Sequence, residues 1–272
     1  MKVAFASALL GCAFVLPAHA DDCKHTANRT ANVAGPNIER VVVEAGAGDL
    51  VVRGGDGQDV KVDGKACASS AKLLEDIRLE TRRDGNTVYV RTLMPDMSSG
   101  LFGTHNVQMD VTVAVPKSAT LKIEDSSGDM EVTDVQSAAI QDSSGDQTVQ
   151  RIAGDLEVQD SSGEIKIVGV GGKLRLRDSS GDVDVDNVQG EVLIEVDSSG
   201  DLDIRRVSAS VYVREDSSGD IEIHDVKGDV TIDDDSSGGI VVQDVGGNFT
   251  VGSDGSGSIR YERVTGSVRV PD

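Results

Sequence analysis

The sequence contains no tryptophan, and aromatic residues make up only 3% of its 272 positions. Beyond the first twenty residues the aromatics are Tyr89, Phe102, Tyr212, Phe249 and Tyr261. Compact enzymes of this length draw on such rings for core bulk, so the core expected here is thin and aliphatic. Positive charge is scarce as well. Lys and Arg number 26 against 47 Asp and Glu, a formal net charge of -21. Phosphate backbones and anionic membrane surfaces would both be repelled, which excludes nucleic acid as a partner and disfavours membrane docking. Glycine, at 31 residues, falls far short of the one-in-three of collagen. Val, Ile and Leu recur in ordered alternation, which excludes a disordered chain.

Residues 1–20 carry one Lys, an apolar run and the small-x-small end Ala18-His19-Ala20, and are read as a secretory signal peptide cleaved before Asp21. The alternative is a lipoprotein box at Leu9-Leu10-Gly11-Cys12. No later stretch approaches the roughly 18 apolar residues of a transmembrane span. Periplasm, cell surface and medium all stay open as locations. Cysteine is limited to three residues, and Cys12 leaves with the leader. Cys23 and Cys67 remain as an even pair in an oxidising compartment, where a disulfide is expected. A metal site on Cys23-Lys24-His25 is the rival reading, and it lacks two further ligands nearby.

What the sequence does have is a repeat. The tetrapeptide Asp-Ser-Ser-Gly begins at Asp125, Asp142, Asp160, Asp178, Asp197, Asp216 and Asp235, with a degenerate Asp-Gly-Ser-Gly at Asp254. Between the marks runs the pattern DSSGD-h-x-h-x-x-V-x-G-x-h-x-h, where h is aliphatic. Ile221/Ile223 and Val230/Ile232 show it clearly. Strict period-two alternation of β-branched residues predicts strands with one buried face. The glycine after each corner valine (Gly154, Gly172, Gly190, Gly228, Gly247, Gly266) is expected to supply positive φ, with Ser137 and Ala209 as exceptions. Units this short cannot close a core alone and must stack. The predicted fold is all-β: a single-stranded parallel β-solenoid of about 18–19-residue two-strand coils with an N-terminal β cap, its coils advancing by about 4.8 Å. An antiparallel meander is less favoured, because hairpins do not require identical corners in register.

The expected organisation is a signal peptide at 1–20, an N-terminal leader segment at 21–35, a β cap at 36–120 and the DSSG-repeat solenoid at 121–272. Within the cap, Leu50-Val51-Val52 followed by Val60-Lys61-Val62 reads as a degenerate coil. Ser69 to Asp76 reads as a short capped helix, and Asp84-Gly85-Asn86 as a hairpin turn. The leader, the Gly48-Asp49-Leu50-Val51-Val52 coil, the segment from Val113 to Glu124 and the repeated Ser-Ser-Gly-Asp-h-x-h together resemble the bacterial putative-adhesin family of exported β-strand-repeat domains of unknown function, related to the toast-rack envelope domains. The resemblance covers about residues 36–272. It implies an exported β-solenoid and supplies no catalytic motif.

Each candidate for chemistry has a bland counterpart. The DSSG aspartates and serines serve to close turns through side-chain acceptance of backbone N–H groups. Stacking like charges about 5 Å apart nevertheless opposes folding by roughly 0.8 kcal/mol per pair even in water. A second file at Asp129, Asp146, Glu164, Asp182, Asp201 and Asp220 adds to it. Asp129, Asp146, Asp182, Asp201 and Asp220 are therefore candidate ligands for weak, multivalent Ca2+ or Mg2+ binding; no other cofactor is expected. Asp235-Ser236-Ser237-Gly238-Gly239 superficially matches a serine-protease neighbourhood, but only His25, His105 and His224 remain as bases beyond the leader, and a nucleophile would not be needed eight times. A carbohydrate lyase or hydrolase would want aromatic platforms and loop excursions that uniform coils lack. In the loop from Met94 to Gly103, Leu101 and Phe102 form a candidate contact tip. The expected function is a non-enzymatic, exported cell-envelope scaffold or adhesin-like interaction module, partnered by an envelope or surface protein or a glycan. A divalent-cation-binding surface protein and a carbohydrate-active β-helix enzyme are the alternatives.

Overall fold

The computed structural model describes residues 23–95 and 106–271. Two twelve-stranded sheets face each other across an aliphatic core. The chain begins with β1 (His25–Val33), β2 (Arg40–Glu44), β3 (Leu50–Gly55), β4 (Val60–Ala68) and α1 (Ala71–Asp76). Next come β5 (Arg78–Asp84), β6 (Thr87–Leu93), β7 (Val107–Pro116), β8 (Thr120–Glu124) and β9 (Met130–Thr133). From there the chain alternates between the sheets. One receives β10 (Ser137–Gln141), β12 (Leu156–Gln159), β14 (Leu174–Asp178), β16 (Val192–Asp197), β18 (Val211–Asp216), β20 (Val230–Asp235), β22 (Phe249–Asp254) and β24 (Val268–Arg269). The other receives β11 (Gln147–Ile152), β13 (Ile165–Val170), β15 (Val183–Val188), β17 (Leu202–Val207), β19 (Ile221–Val226), β21 (Gly238–Val245) and β23 (Gly257–Val264). Each strand pairs in parallel with its counterpart one coil away, for example Val183↔Leu202 and Val192↔Val211. This is the expected parallel β-solenoid. No helix among the described residues is long and apolar enough to cross a membrane.

The chain enters coil geometry well before residue 121. β2 and β3 form a coil whose strands pair in parallel with β8 and β9. The coil partner of β3 is thus the preceding β2, and Val60–Val62 belongs instead to β4, antiparallel to β7. After β5 the chain returns as a second early coil, β6 and β7, on the outer side of the first. It then passes to β8 on the inner side. Antiparallel strands close this end: β4 and β1 beyond β7, and β5 beyond β6. Most of the segment assigned at 21–35 to a leader is therefore strand β1. Cys23 is bonded to Cys67 of β4, with Cα atoms 5.4 Å apart. α1 is capped by Ser70, whose side chain accepts from the Leu73 amide, and Gly85-Asn86 makes the two-residue β5–β6 turn.

Parallel sheets ordinarily read as continuous apolar runs because both faces are covered. Here one face meets water, so the strands alternate: Ile221 and Ile223 are fully buried, while Glu222 between them is exposed. Phe249 is the one aromatic in the core among the described residues. One position breaks the aliphatic column. Gln147 stacks between Met130 and Ile165, is 1% exposed, and has no partner for Nε2 or Oε1.

The corners obey a stricter rule than the strands. The DSSG glycines adopt φ between 117° and 145°. A Cβ on Gly181 would sit 1.8 Å from the Gly163 carbonyl oxygen, and one on Gly200 would sit 2.0 Å from that of Gly181. The opposite corner differs from expectation. Its glycines, such as Gly172 and Gly190, are not in the left-handed region; they are small because a Cβ would strike the coil below, as at 2.4 Å between Gly190 and the Gly172 oxygen. Positive φ falls instead on the residue before the corner valine: Asp134, Arg151, Asn187, Arg206, Asp225, Asp244 and Arg263, with Gly169 in the same file. Ser137 lies outside the glycine file, since the Gly154 amide bonds to the Gln136 oxygen and the 135–138 corner is one residue short. The step from 18- to 19-residue spacing is a β-bulge at Glu195, where the register shifts between Leu176 and Arg177.

Gly181→Ala is expected to lower stability by at least about 2 kcal/mol in urea unfolding, because both the clash and the positive φ oppose it. Gly85→Asn, in open space at φ 58°, is expected to cost less than about 1 kcal/mol. Gln147→Met removes two buried unpaired polar atoms, and a stabilisation of about 1 kcal/mol is expected in the same assay.

Candidate functional site

The DSSG edge carries two carboxylate files with opposite orientations. Sequence spacing puts them four residues apart, and the left-handed glycine between them turns one file into the protein and the other out. Asp125, Asp142, Asp160, Asp178, Asp197, Asp216 and Asp235 face inward, none more than 6% exposed. Asp178, Asp197, Asp216, Asp235 and Asp254 are direct register partners along one sheet. Where a turn amide reaches a carboxylate it satisfies one oxygen: Ser126 N donates to Asp125 at 2.8 Å, Ser143 N to Asp142 at 2.7 Å, and Ser179 N to Asp178 at 2.7 Å. Every one of the seven keeps at least one buried oxygen without a partner, and Asp160, Asp197 and Asp216 keep both. Burial is the main cause that raises all seven above the ordinary aspartate range. It pushes Asp125, Asp197 and Asp216 up to about 7 and Asp160 to about 6, reinforced at each of these four by neighbouring carboxylates.

The outward file does something else. Asp129 Oδ1 accepts the Asp146 amide at 3.2 Å, Asp146 accepts that of Glu164 at 3.0 Å, and Asp182 that of Asp201 at 3.0 Å. Asp201 and Asp220 continue with the amides of Asp220 at 2.9 Å and Gly239 at 2.7 Å. Each carboxylate proposed as a metal ligand thus gives one oxygen to the coil above. No group of three or more His, Cys, Asp or Glu arranged to hold a metal ion occurs among the described residues. From Ser144 to Ser237 the second serine of each mark adds a parallel ladder, as Ser180 Oγ donates to the Ser161 oxygen at 3.1 Å and Ser218 Oγ to the Ser198 oxygen at 3.2 Å. Ser237, in the protease-like stretch, is spent the same way on the Ser217 oxygen.

At the opposite corner, arginines in the left-handed file reach one coil back. Arg151 holds Asp134 through two bonds of 2.7 Å, and Arg263 holds Asp244 at 2.6 and 2.8 Å. These guanidiniums keep both carboxyls below their usual range. Arg175 and Arg177 converge on Glu195 at the bulge, leaving it 5% exposed. Reading the sequence missed this file; the recurrence of Asp, Asn or Gly before the corner valine was its signal.

At the capped end, a groove of about 840 Å3 is lined by Thr30, Glu44, Leu79, Arg82, Tyr89 and Arg91, among others. The Arg82 guanidinium lies over the Tyr89 ring, 4.5 Å from its centre. Arg91 Nε is hydrogen-bonded to Glu44 at 2.6 Å, and with Arg82 and Glu80 the lining carries two charges of each sign. Leu101 and Phe102, the candidate contact tip, lie outside the described residues.

The family model described as Toastrack DUF4097 matches residues 38–267. The chain belongs to this Toastrack family. No curated protein matches it. Among solved structures, a "putative lipid binding protein" from Parabacteroides distasonis ATCC 8503 is 14% identical, covering 90% of this chain and 97% of its own, with a TM-score of 0.42. A "putative adhesin" from Bacteroides fragilis NCTC 9343 is 14% identical over 92% of this chain and 99% of its own, at a TM-score of 0.36. A "putative cell adhesion protein" from Clostridium sporogenes ATCC 15579 is 12% identical over 90% and 99%, at 0.30. The Toastrack match covers both corner files and most of the capped end.

Asp201→Ala removes the acceptor for the Asp220 amide and is expected to cost about 1 kcal/mol, whereas Asp201→Asn keeps an oxygen there and is expected to stay within about 0.5 kcal/mol of the parent. Chemical denaturation of the two variants checks the pair.

Proposed function

We propose that this Toastrack protein is a non-enzymatic, exported scaffold or adhesin-like interaction module of the cell envelope. The observation that carries the reading is the use made of the repeated polar residues. Serines, outward aspartates and corner arginines are committed to coil-to-coil hydrogen bonds and ion pairs, as with Ser180, Asp182 and Arg151. A nucleophile or general base must be free to reach a substrate, and groups held in such ladders are not. Two depressions on the array are open and small, about 290 and 400 Å3. A rigid, water-facing rod of regular pitch suits presentation of a surface to an envelope protein or glycan. Tyr212 and Tyr261, 38% and 46% exposed, offer aromatic contact points on it. Divalent-cation binding is the second reading, favoured by the exposed file of Asp129, Asp146, Asp182, Asp201 and Asp220.

The test is retention of the chain from Asp21 on isolated cell-envelope fractions, run beside a polysaccharide turnover screen and thermal unfolding in chelator, Ca2+ or Mg2+ at fixed ionic strength. Saturable retention without turnover is the expected result. Turnover of any polysaccharide would sink the scaffold reading, and a rise in Tm specific to a divalent ion, beyond the ionic-strength control, would move the cation reading ahead.

A further inference from the structure

The inward aspartates pose a problem that the turn chemistry does not solve. Seven carboxyl side chains, at most 6% exposed, stack along one interior edge, and strand neighbours in a sheet are about 4.8 Å apart. Each has at least one buried oxygen with no donor. Buried polar groups are normally paired, and a buried anion is retained only with a counter-charge. Among the described residues none is supplied. The charges acting on Asp125 are those of Asp142 and Asp49, and on Asp160 those of Asp142 and Asp178, all negative. The charges of Asp216, Asp178 and the outward Asp182 act on Asp197, those of Asp235 and the outward Asp201 on Asp216, and those of Asp254 and Asp234 on Asp235. Amides of the turn serines supply the remaining donors. Protons on the carboxyls themselves would supply the missing donors.

We propose that the DSSG aspartates form a proton-sharing column, in which a neutral carboxyl donates to an ionised neighbour one coil away, so that the solenoid is tightest at mildly acidic pH. A protonated carboxyl gains one O–H donor and keeps acceptor capacity, so alternation of the two forms along the file satisfies oxygens that a fully ionised file leaves orphaned. The sign follows from linkage. The folded aspartates hold protons more firmly than the unfolded chain, whose value is near 3.8. The stabilising contribution of each is complete below that value and is lost as pH rises through its folded value, about 6 for Asp160 and about 7 for Asp125, Asp197 and Asp216. The arginine-held Asp134 and Asp244 act in the opposite direction and only in more acid solution.

Infrared spectra of the folded chain at pH 6 and pH 9, in chelator, read the carboxylic-acid C=O stretch directly. Thermal unfolding from pH 5 to pH 9 at fixed ionic strength is run alongside for the parent, Asp197→Asn and Asp216→Asn. A protonated-carboxyl band at pH 6 that disappears at pH 9 is expected, together with a Tm that falls over the same interval. The Asn variants, which carry a permanent donor, are expected to show a weaker band, a shallower fall and a higher Tm than the parent at pH 9. Comparison with them separates the column from every other titratable group of the chain. Absence of the acid band at pH 6, a Tm that rises toward pH 9, or equal loss of Tm in the variants at every pH would each overturn the proposal. The infrared measurement on the parent decides the question even if a variant does not fold.

Discussion

Coil-to-coil backbone hydrogen bonding brings the corners of this protein so close that there is no room between them for a methyl group. The Gly145 amide reaches the Ser162 oxygen at 3.1 Å and the Gly163 amide that of Ser180 at 3.1 Å. With carbonyl and α-carbon of successive glycines in contact, the corner cannot accept another residue, and the strands that leave it are forced into register. A one-residue slip would turn Ile221 and Ile223 to water and Glu222 into the core. The glycine constraint therefore sets the register, the register sets the aliphatic column, and the column needs no aromatic bulk because two facing sheets of Val, Ile and Leu close over each other.

The same geometry sorts the acidic residues. A formal charge of -21 suggests one uniformly anionic surface. The structure divides it into an inward file stripped of water, an outward file whose oxygens cap amides, and corner carboxylates clasped by arginine. At an effective dielectric constant of about 20, two charges 5 Å apart repel by roughly 3 kcal/mol, so the inward file could not be fully ionised without large strain. Composition counts these groups alike, although their environments are opposite.

Periodicity made the array legible: seven identical marks and alternating β-branched pairs lead directly to stacked parallel strands. The capped end was harder. Val60–Val62 alternates just as a coil strand does, and pattern alone cannot tell that it runs antiparallel to β7. Nor can it show that β6 and β7 insert outside β2 and β3, since strand order is a matter of three dimensions. The orientation of the carboxylate files was hidden for a similar reason. The motif shows an Asp on either side of Ser-Ser-Gly, but the glycine's left-handed turn decides which of the two is buried. Positive φ at Arg151, Arg206 and Arg263 had no sequence hint of its own, because arginine is an unusual occupant of that region.

The bulge at Glu195 divides the array into two gauges. Before it, coils repeat every 17 or 18 residues; after it, every 19. Once the extra residue has been introduced, each later strand of that sheet copies it without further adjustment, as Val192↔Val211 and Asp197↔Asp216 show. The downstream block can therefore gain or lose a whole repeat of coding sequence, by unequal recombination within the gene, with every junction remaining like to like. Exchange across Glu195 would instead create or erase a bulge. Like-for-like exchange is thus confined within each gauge, and the 19-residue block after Glu195 is the longer run in which it leaves every register intact.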